Sequence, residues 1–128
     1  QKLIPDRILC STAARTRATL ALASATWPKL PVVTFDKALY LADWDKLLRR
    51  LQDAREPAAH MMLIGHNPGL QDLAATLIGH GNREERMAMA QKFPTAALAV
   101  IRFETTTWAD VVPGSGRLDV TMTPRSLE

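Results

Sequence analysis

Short apolar runs alternate with longer stripes of helical period along these 128 residues. That alternation constrains the fold more than any other feature, because strands that each feed a helix assemble into a parallel sheet covered on its faces. Residues 7–10 and 32–35 read as strands, and the continuous apolar run 60–64 reads as a strand buried on both sides. Helices are predicted over 13–26, 43–54, 67–78 and 84–91. Their inward stripes are Ala14, Ala18, Ala21, Leu22 and Ala25 in the first, Trp44, Leu47, Leu48 and Leu51 in the second, and Leu70, Leu73, Ala74, Leu77 and Ile78 in the third. Ser11 or Thr12, Asp43 and Asn67 are placed as helix caps, with Pro68 at a first helical position. Residues 79–83 read as a polar connection, Met87 and Met89 as gap-filling side chains, and 97–103 and 118–122 as closing strands. The expected architecture is a single domain over residues 1–128, a three-layer α/β/α fold with a largely parallel central sheet.

Composition narrows the function classes. A hydrophobic content of 47% is enough for a real core in one domain. The net charge of +3 permits an anionic substrate but lacks the dense Lys/Arg patterning of a nucleic-acid binder. The single cysteine, Cys10, lies in an apolar run and reads as a buried strand residue; it excludes an internal disulfide framework and argues against a Cys-rich metal site. No apolar run approaches the ~18 residues that span a bilayer, and no secretory leader heads the sequence, so the cytoplasm is the expected compartment and no membrane partner is expected.

Two strand–helix joints have the layout of an anion site, since ligands gather outside the carboxyl ends of strands where helix N-termini present free N–H groups. The first is Cys10-Ser11-Thr12-Ala13-Ala14-Arg15. Arg15 falls in the first helical turn, where a cation opposes the helix dipole, and a guanidinium there makes sense if it grips a phosphate; an exposed arginine at a helix start is the competing reading. Arg17 reads as a surface residue. The second joint is Ile64-Gly65-His66-Asn67-Pro68, which delivers a titratable ring to the sheet mouth, able to donate to a phosphoryl oxygen or move a proton. His60 and His80 have no comparable setting, and the three histidines make no metal motif. GxSxG, GxxxxGK[ST] and GxGxxG are all missing from the sequence, which leaves phosphate handling by Arg15 and His66 as the best chemical reading.

These residues resemble the histidine phosphatase superfamily, in particular its SixA-like phosphohistidine phosphatase branch with a phosphoglycerate mutase-like fold. The stretch Ile8-Leu9-Cys10-Ser11-Thr12-Ala13-Ala14-Arg15 is similar to the segment of the family's phosphate-binding arginine, and Leu63-Ile64-Gly65-His66-Asn67-Pro68 to that of its second active-site histidine. Leu39-Tyr40-Leu41-Ala42, Phe93-Pro94-Thr95-Ala96-Ala97-Leu98-Ala99 and Thr123-Pro124-Arg125-Ser126-Leu127 also look like branch features, in order along nearly the whole chain. The family's opening Arg-His-Gly or Arg-His-Ala triplet, whose histidine attacks phosphorus on the first strand of the sheet, has no counterpart here: no Arg-His pair occurs. The expectation is that an N-terminal segment carrying it precedes Gln1, and that these 128 residues alone are inactive.

The resemblance implies a two-step phosphoryl transfer without cofactor or metal, on a phosphorylated protein substrate. Arg15 and His66 would be the catalytic and phosphate-binding residues present. No secure general acid accompanies them; Asp36 and Asp43 are loose candidates, and Asp43 is better explained as a cap. A missing acid favours phosphohistidine, because imidazole, whose conjugate acid has a pKa of about 6.5, leaves far more easily than an alkoxide, whose parent alcohol is a far weaker acid. The alternatives are a phosphatase for small phosphate esters and a non-catalytic phosphoprotein-binding module.

Overall fold

A computed structural model describes residues 5–29, 31–54, 59–91 and 98–122. Residues 93–97 and 123–127, which carry two of the family-like stretches and the start of the predicted strand 97–103, lie outside the described residues. The elements run β1 (Arg7–Ser11), α1 (Ala14–Ser24), β2 (Val32–Asp36), a 3-10 turn (Lys37–Leu39), α2 (Trp44–Gln52), β3 (Met61–Ile64), α3 (Gly69–Leu77), β4 (Ile78–Gly81), α4 (Arg83–Gln91), β5 (Leu98–Arg102), a second 3-10 turn (Trp108–Asp110) and β6 (Gly116–Met122). The chain divides into two compact units, residues 1–42 with 56–66 and residues 43–55 with 67–128. The described strands form two three-stranded sheets, one in each unit, where the sequence predicts one central sheet.

In the first unit the order is β2-β1-β3, all parallel, with Cys10 opposite Phe35 on one side and Ile64 on the other. β1 is the central strand, and Ile8, Leu9, Cys10 and Ser11 are all buried. Ile8 and Cys10 pack with Leu20 of α1 and Ile64 of β3, and Trp27, Val33 and Met62 close that cluster. β3 is half-buried rather than enclosed on both sides: only Ile64 of its four residues is buried, because β3 is a border strand of this sheet.

The inward face of α1 differs from the predicted stripe. Thr16 and Leu20 are its buried residues, while Ala14, Ala18, Ala21 and Ala25 are exposed and Leu22 is 81% exposed. Alanines carry little apolar area and favour the helix wherever they point, so four of them orient it weakly. The polar partner breaks the tie: the Thr16 hydroxyl reaches the carbonyl oxygens of Ser11 at 2.8 Å and Ala13 at 2.9 Å, so it can be buried without an unmet bond.

Asp6 closes the amino end of this sheet. Its carboxylate accepts the backbone N–H groups of Ala59 at 2.9 Å and His60 at 3.0 Å, and the His60 carbonyl accepts the Asp6 N–H. Those bonds, that of His60 first, hold the Asp6 carboxyl below its ordinary range. A carboxyl depressed by folding stabilises the native state above its unfolded range, and that contribution disappears as pH falls through the folded value. Asp6→Asn should therefore lower the denaturant midpoint near neutral pH and flatten its acid dependence; equal slopes in both proteins below neutrality would contradict the assignment.

In the second unit β6 lies between β4, parallel, and β5, antiparallel. β4 occupies the stretch read as a polar connection, since Gly79-His80-Gly81 lacks the β-branched alternation that marks a strand. Ile78, assigned to the helix from its period, begins this strand instead, and packs with Ala74, Met89 and Leu118. Met89 fills the core as expected, but Met87 is 51% exposed. Leu47, Leu48 and Leu51 of α2 and Leu73 and Leu77 of α3 are buried, as the stripes predict. Asp43 occupies the cap position of α2 without a side-chain capping bond. Pro68 rather than Asn67 caps α3, after a cis Asn67–Pro68 bond, although the Asn67 carboxamide accepts the Gln71 N–H at 3.2 Å. Gly79 lies directly against the Gly114 carbonyl oxygen, so a methyl group has no room. Gly79→Ala should cost about 1–3 kcal/mol of stability by overpacking, read as a lowered urea midpoint; an unchanged midpoint would contradict this packing. Among the described residues no helix is long and apolar enough to cross a membrane.

Candidate active site

The parallel register of β1 and β3 sets two predicted site segments side by side. Cys10 pairs with Ile64, so both strands end at the same carboxyl edge, with Ser11 the last residue of β1 and His66 two residues past the end of β3. There His66 Nε2 is 2.9 Å from Ser11 Oγ. Tyr40, just after the first 3-10 turn, sets its ring edge-on to the His66 imidazole, with centroids 5.2 Å apart and planes at 83°. His66 is half-buried, while Ser11 is 0% exposed.

Arg15 lies in the first turn of α1 at the same strand end, exposed, with no acidic residue in that turn. The first backbone bond of the helix runs from the Arg17 N–H to the Ala13 carbonyl at 3.1 Å. The N–H groups of Ala14, Arg15 and Thr16 therefore have no partner within the helix and point out of its start, as an anion site requires, whereas that of Ala13 donates to Ser11 Oγ. With about 100° between successive helical residues, Arg15 and Arg17 flank the buried Thr16 on opposite sides. Their situations differ. Arg17 is exposed, as expected, but committed: its Nε donates to the Thr12 carbonyl at 3.0 Å and its guanidinium lies 4.2 Å above the Phe35 ring. Among the described residues the Arg15 guanidinium has no hydrogen-bond or ion-pair partner, which leaves its five donors available to an anion.

Other titratable groups are committed elsewhere. His60 stands at the opposite end of β3 beside Asp6, 3.8 Å away, and His80 is exposed on β4. The Asp36 carboxylate accepts the Ala38 N–H at 2.9 Å as the cap of the 3-10 turn, which accounts for its position without a role as acid. Burial pushes the Cys10 thiol up, against smaller opposing effects of Thr16 and the Arg17 charge, so Cys10 is a packing residue and not a thiolate nucleophile. Sequence reasoning treated Ser11 only as a cap and gave Tyr40 no role. The signal for Ser11 was its place one residue past a buried strand; nothing local marked Tyr40 as a neighbour of His66, because 26 positions, about the length of a crossover unit, separate them.

The fold is that of a phosphoglycerate mutase-like α/β protein. No family model matches the chain. Over 97 residues it is 30% identical to the uncharacterized protein ML1117 of Mycobacterium leprae, covering 75% of this chain and 58% of that protein. Over 115 residues it is 31% identical to the uncharacterized protein Rv1276c of Mycobacterium tuberculosis, covering 88% of this chain and 70% of that protein. The chain thus spans little more than half the length of the first relative. Among solved structures it is similar to a candidate phosphohistidine phosphatase SixA from Nakamurella multipartitia, with TM-score 0.79 and 23% identity over 95% of this chain and 72% of that one. A candidate phosphohistidine phosphatase SixA from Agrobacterium tumefaciens gives TM-score 0.73 and 27% identity over 94% and 68%. The protein histidine phosphatase SixA in complex with tungstate gives 0.71 and 22% over 99% and 73%. The chain thus shares its family with the mycobacterial protein Rv1276c and its fold with these SixA structures.

Proposed function

We propose that the protein is a phosphohistidine phosphatase acting on a phosphorylated protein. The observation that carries this reading is the pairing, at one edge of a parallel sheet, of an Arg15 at a helix start, without a side-chain partner among the described residues, with a His66 held by Ser11 and Tyr40. Arg15 neutralises the equatorial phosphoryl oxygens, and His66 donates to them as charge develops in the transition state. The attacking histidine of the family's Arg-His-Gly/Ala triplet lies outside these 128 residues in this proposal. In the first step the substrate P–N bond breaks and a P–N bond to that histidine forms, the substrate imidazole leaving with a proton. Water then attacks the enzyme phosphohistidine, releasing orthophosphate and regenerating the nucleophile. The commitment of Asp36 to its turn supports a substrate whose leaving group needs no strong acid.

Rates on a histidine-phosphorylated protein and on p-nitrophenyl phosphate, measured with the protein at its natural length, test the proposal. Faster turnover of the phosphohistidine protein is expected. A preference for the ester would overturn the substrate assignment, and phosphate binding without turnover of either would replace the enzyme with a binding module.

A further inference from the structure

We infer that Ser11 fixes the tautomer of His66, donating its hydroxyl proton to Nε2 so that Nδ1–H is the donor His66 offers to a ligand. Ser11 is 0% exposed, so water does not satisfy its hydroxyl. Its Oγ lies 2.9 Å from His66 Nε2 and also accepts the Ala13 N–H, at 3.4 Å. Among the described residues, Nε2 is the one acceptor within reach of the Ser11 hydroxyl proton. If Nε2 carried the proton and donated it, Ser11 Oγ would accept twice and its own buried proton would have no acceptor, an arrangement native interiors rarely keep. The opposite assignment satisfies every group: Ser11 accepts from Ala13 and donates to Nε2, and the neutral ring carries its proton on Nδ1.

The rest of the ring's surroundings agree. The edge-on Tyr40 ring limits rotation of the imidazole, and Nδ1 has no partner among the described residues although His66 is only half-buried. Ser11 is thus a positioning residue: it touches no reacting atom but decides which nitrogen of His66 faces the phosphoryl group. The tautomer stands on geometry alone; its catalytic consequence rests on the proposed function.

The test is a nitrogen-15 spectrum of imidazole-labelled protein, recorded where the His66 ring is neutral. In the parent protein, the Nε2 resonance should be that of an unprotonated, hydrogen-bond-accepting nitrogen and Nδ1 that of a protonated one. An Nε2–H tautomer would overturn the inference whatever the protein hydrolyses. Ser11→Ala should mix the tautomers and lower kcat by about 10–100-fold, the range seen when hydrogen-bond partners that orient metal-bound histidines are removed, with KM less affected. Ser11→Thr, which keeps the hydroxyl, should restore the tautomer and most of kcat. A Ser11→Ala protein that folds and keeps the parental tautomer would also refute the role. Failure of the proposed function would appear separately, as absent phosphohistidine turnover with the parental Nδ1–H tautomer intact.

Discussion

Arg15→Ala should reduce turnover of a phosphohistidine-bearing protein by on the order of 10²–10³-fold, the usual loss when a preorganised donor to transition-state charge is removed. The denaturant midpoint should stay where it is. Both halves of that expectation come from the same facts: Arg15 is exposed, opposes the dipole of its own helix, and has no protein partner among the described residues, so the folded state gains little from it. Arg15→Lys should recover only part of the rate, because an ammonium cannot make the paired bonds of a guanidinium. His66→Ala should cause a loss of the same order. Arg17→Ala separates the two arginines, since its guanidinium is held by Thr12 and Phe35; it should perturb the loop before α1 more than it perturbs transition-state charge. An Arg15→Ala protein with parental rates would remove the phosphate role from this residue.

The second large effect concerns the core of the first unit. Leu20→Ala should cost about 2–5 kcal/mol, because Leu20 packs against Ile8, Cys10 and Ile64 and its loss leaves a cavity. Leu22→Ala, two residues on and 81% exposed, should stay within about 0.5 kcal/mol of the parent. Equilibrium urea unfolding of the two variants decides which face of α1 is inside; a larger loss for Leu22 would restore the stripe that helical periodicity alone suggests. With typical domain stabilities of about 5–15 kcal/mol, the Leu20 variant is expected to be visibly less stable and still folded.

The same helix shows what a sequence makes legible and what it does not. Its existence and position follow from period and flanking signals, but its rotation depends on the Thr16 hydroxyl finding the Ser11 and Ala13 carbonyls across a turn. Those are local side-chain-to-backbone bonds that no apolar pattern encodes. Leu47, Leu48 and Leu51 of α2 and Leu73 and Leu77 of α3 fall inside as their stripes predict, because leucine, unlike alanine, carries enough area to orient a helix, whereas Trp44 at the start of α2 is 37% exposed and Leu70 only half-buried. β4 was missed because Gly79-His80-Gly81 is held as a strand by pairing with β6, not by its own preference. Arg15 and His66 could be singled out because each sits at a joint whose residue order already places it at a strand end. Their shared edge needed the parallel register of β1 with β3, and the partners that orient His66 needed coordinates: Ser11 is 55 positions away in the chain.

The most direct test of this account is a tungstate titration of the protein at its natural length, followed by the side-chain resonances of arginine and histidine. The Arg15 Nε–H and the His66 ring should shift together along one binding curve, while His60 and His80 stay unmoved and Arg17 moves least among the arginines of α1. Saturation that leaves Arg15 and His66 unshifted, or no binding at all, would contradict the assignment of this strand-end site to a phosphoryl group.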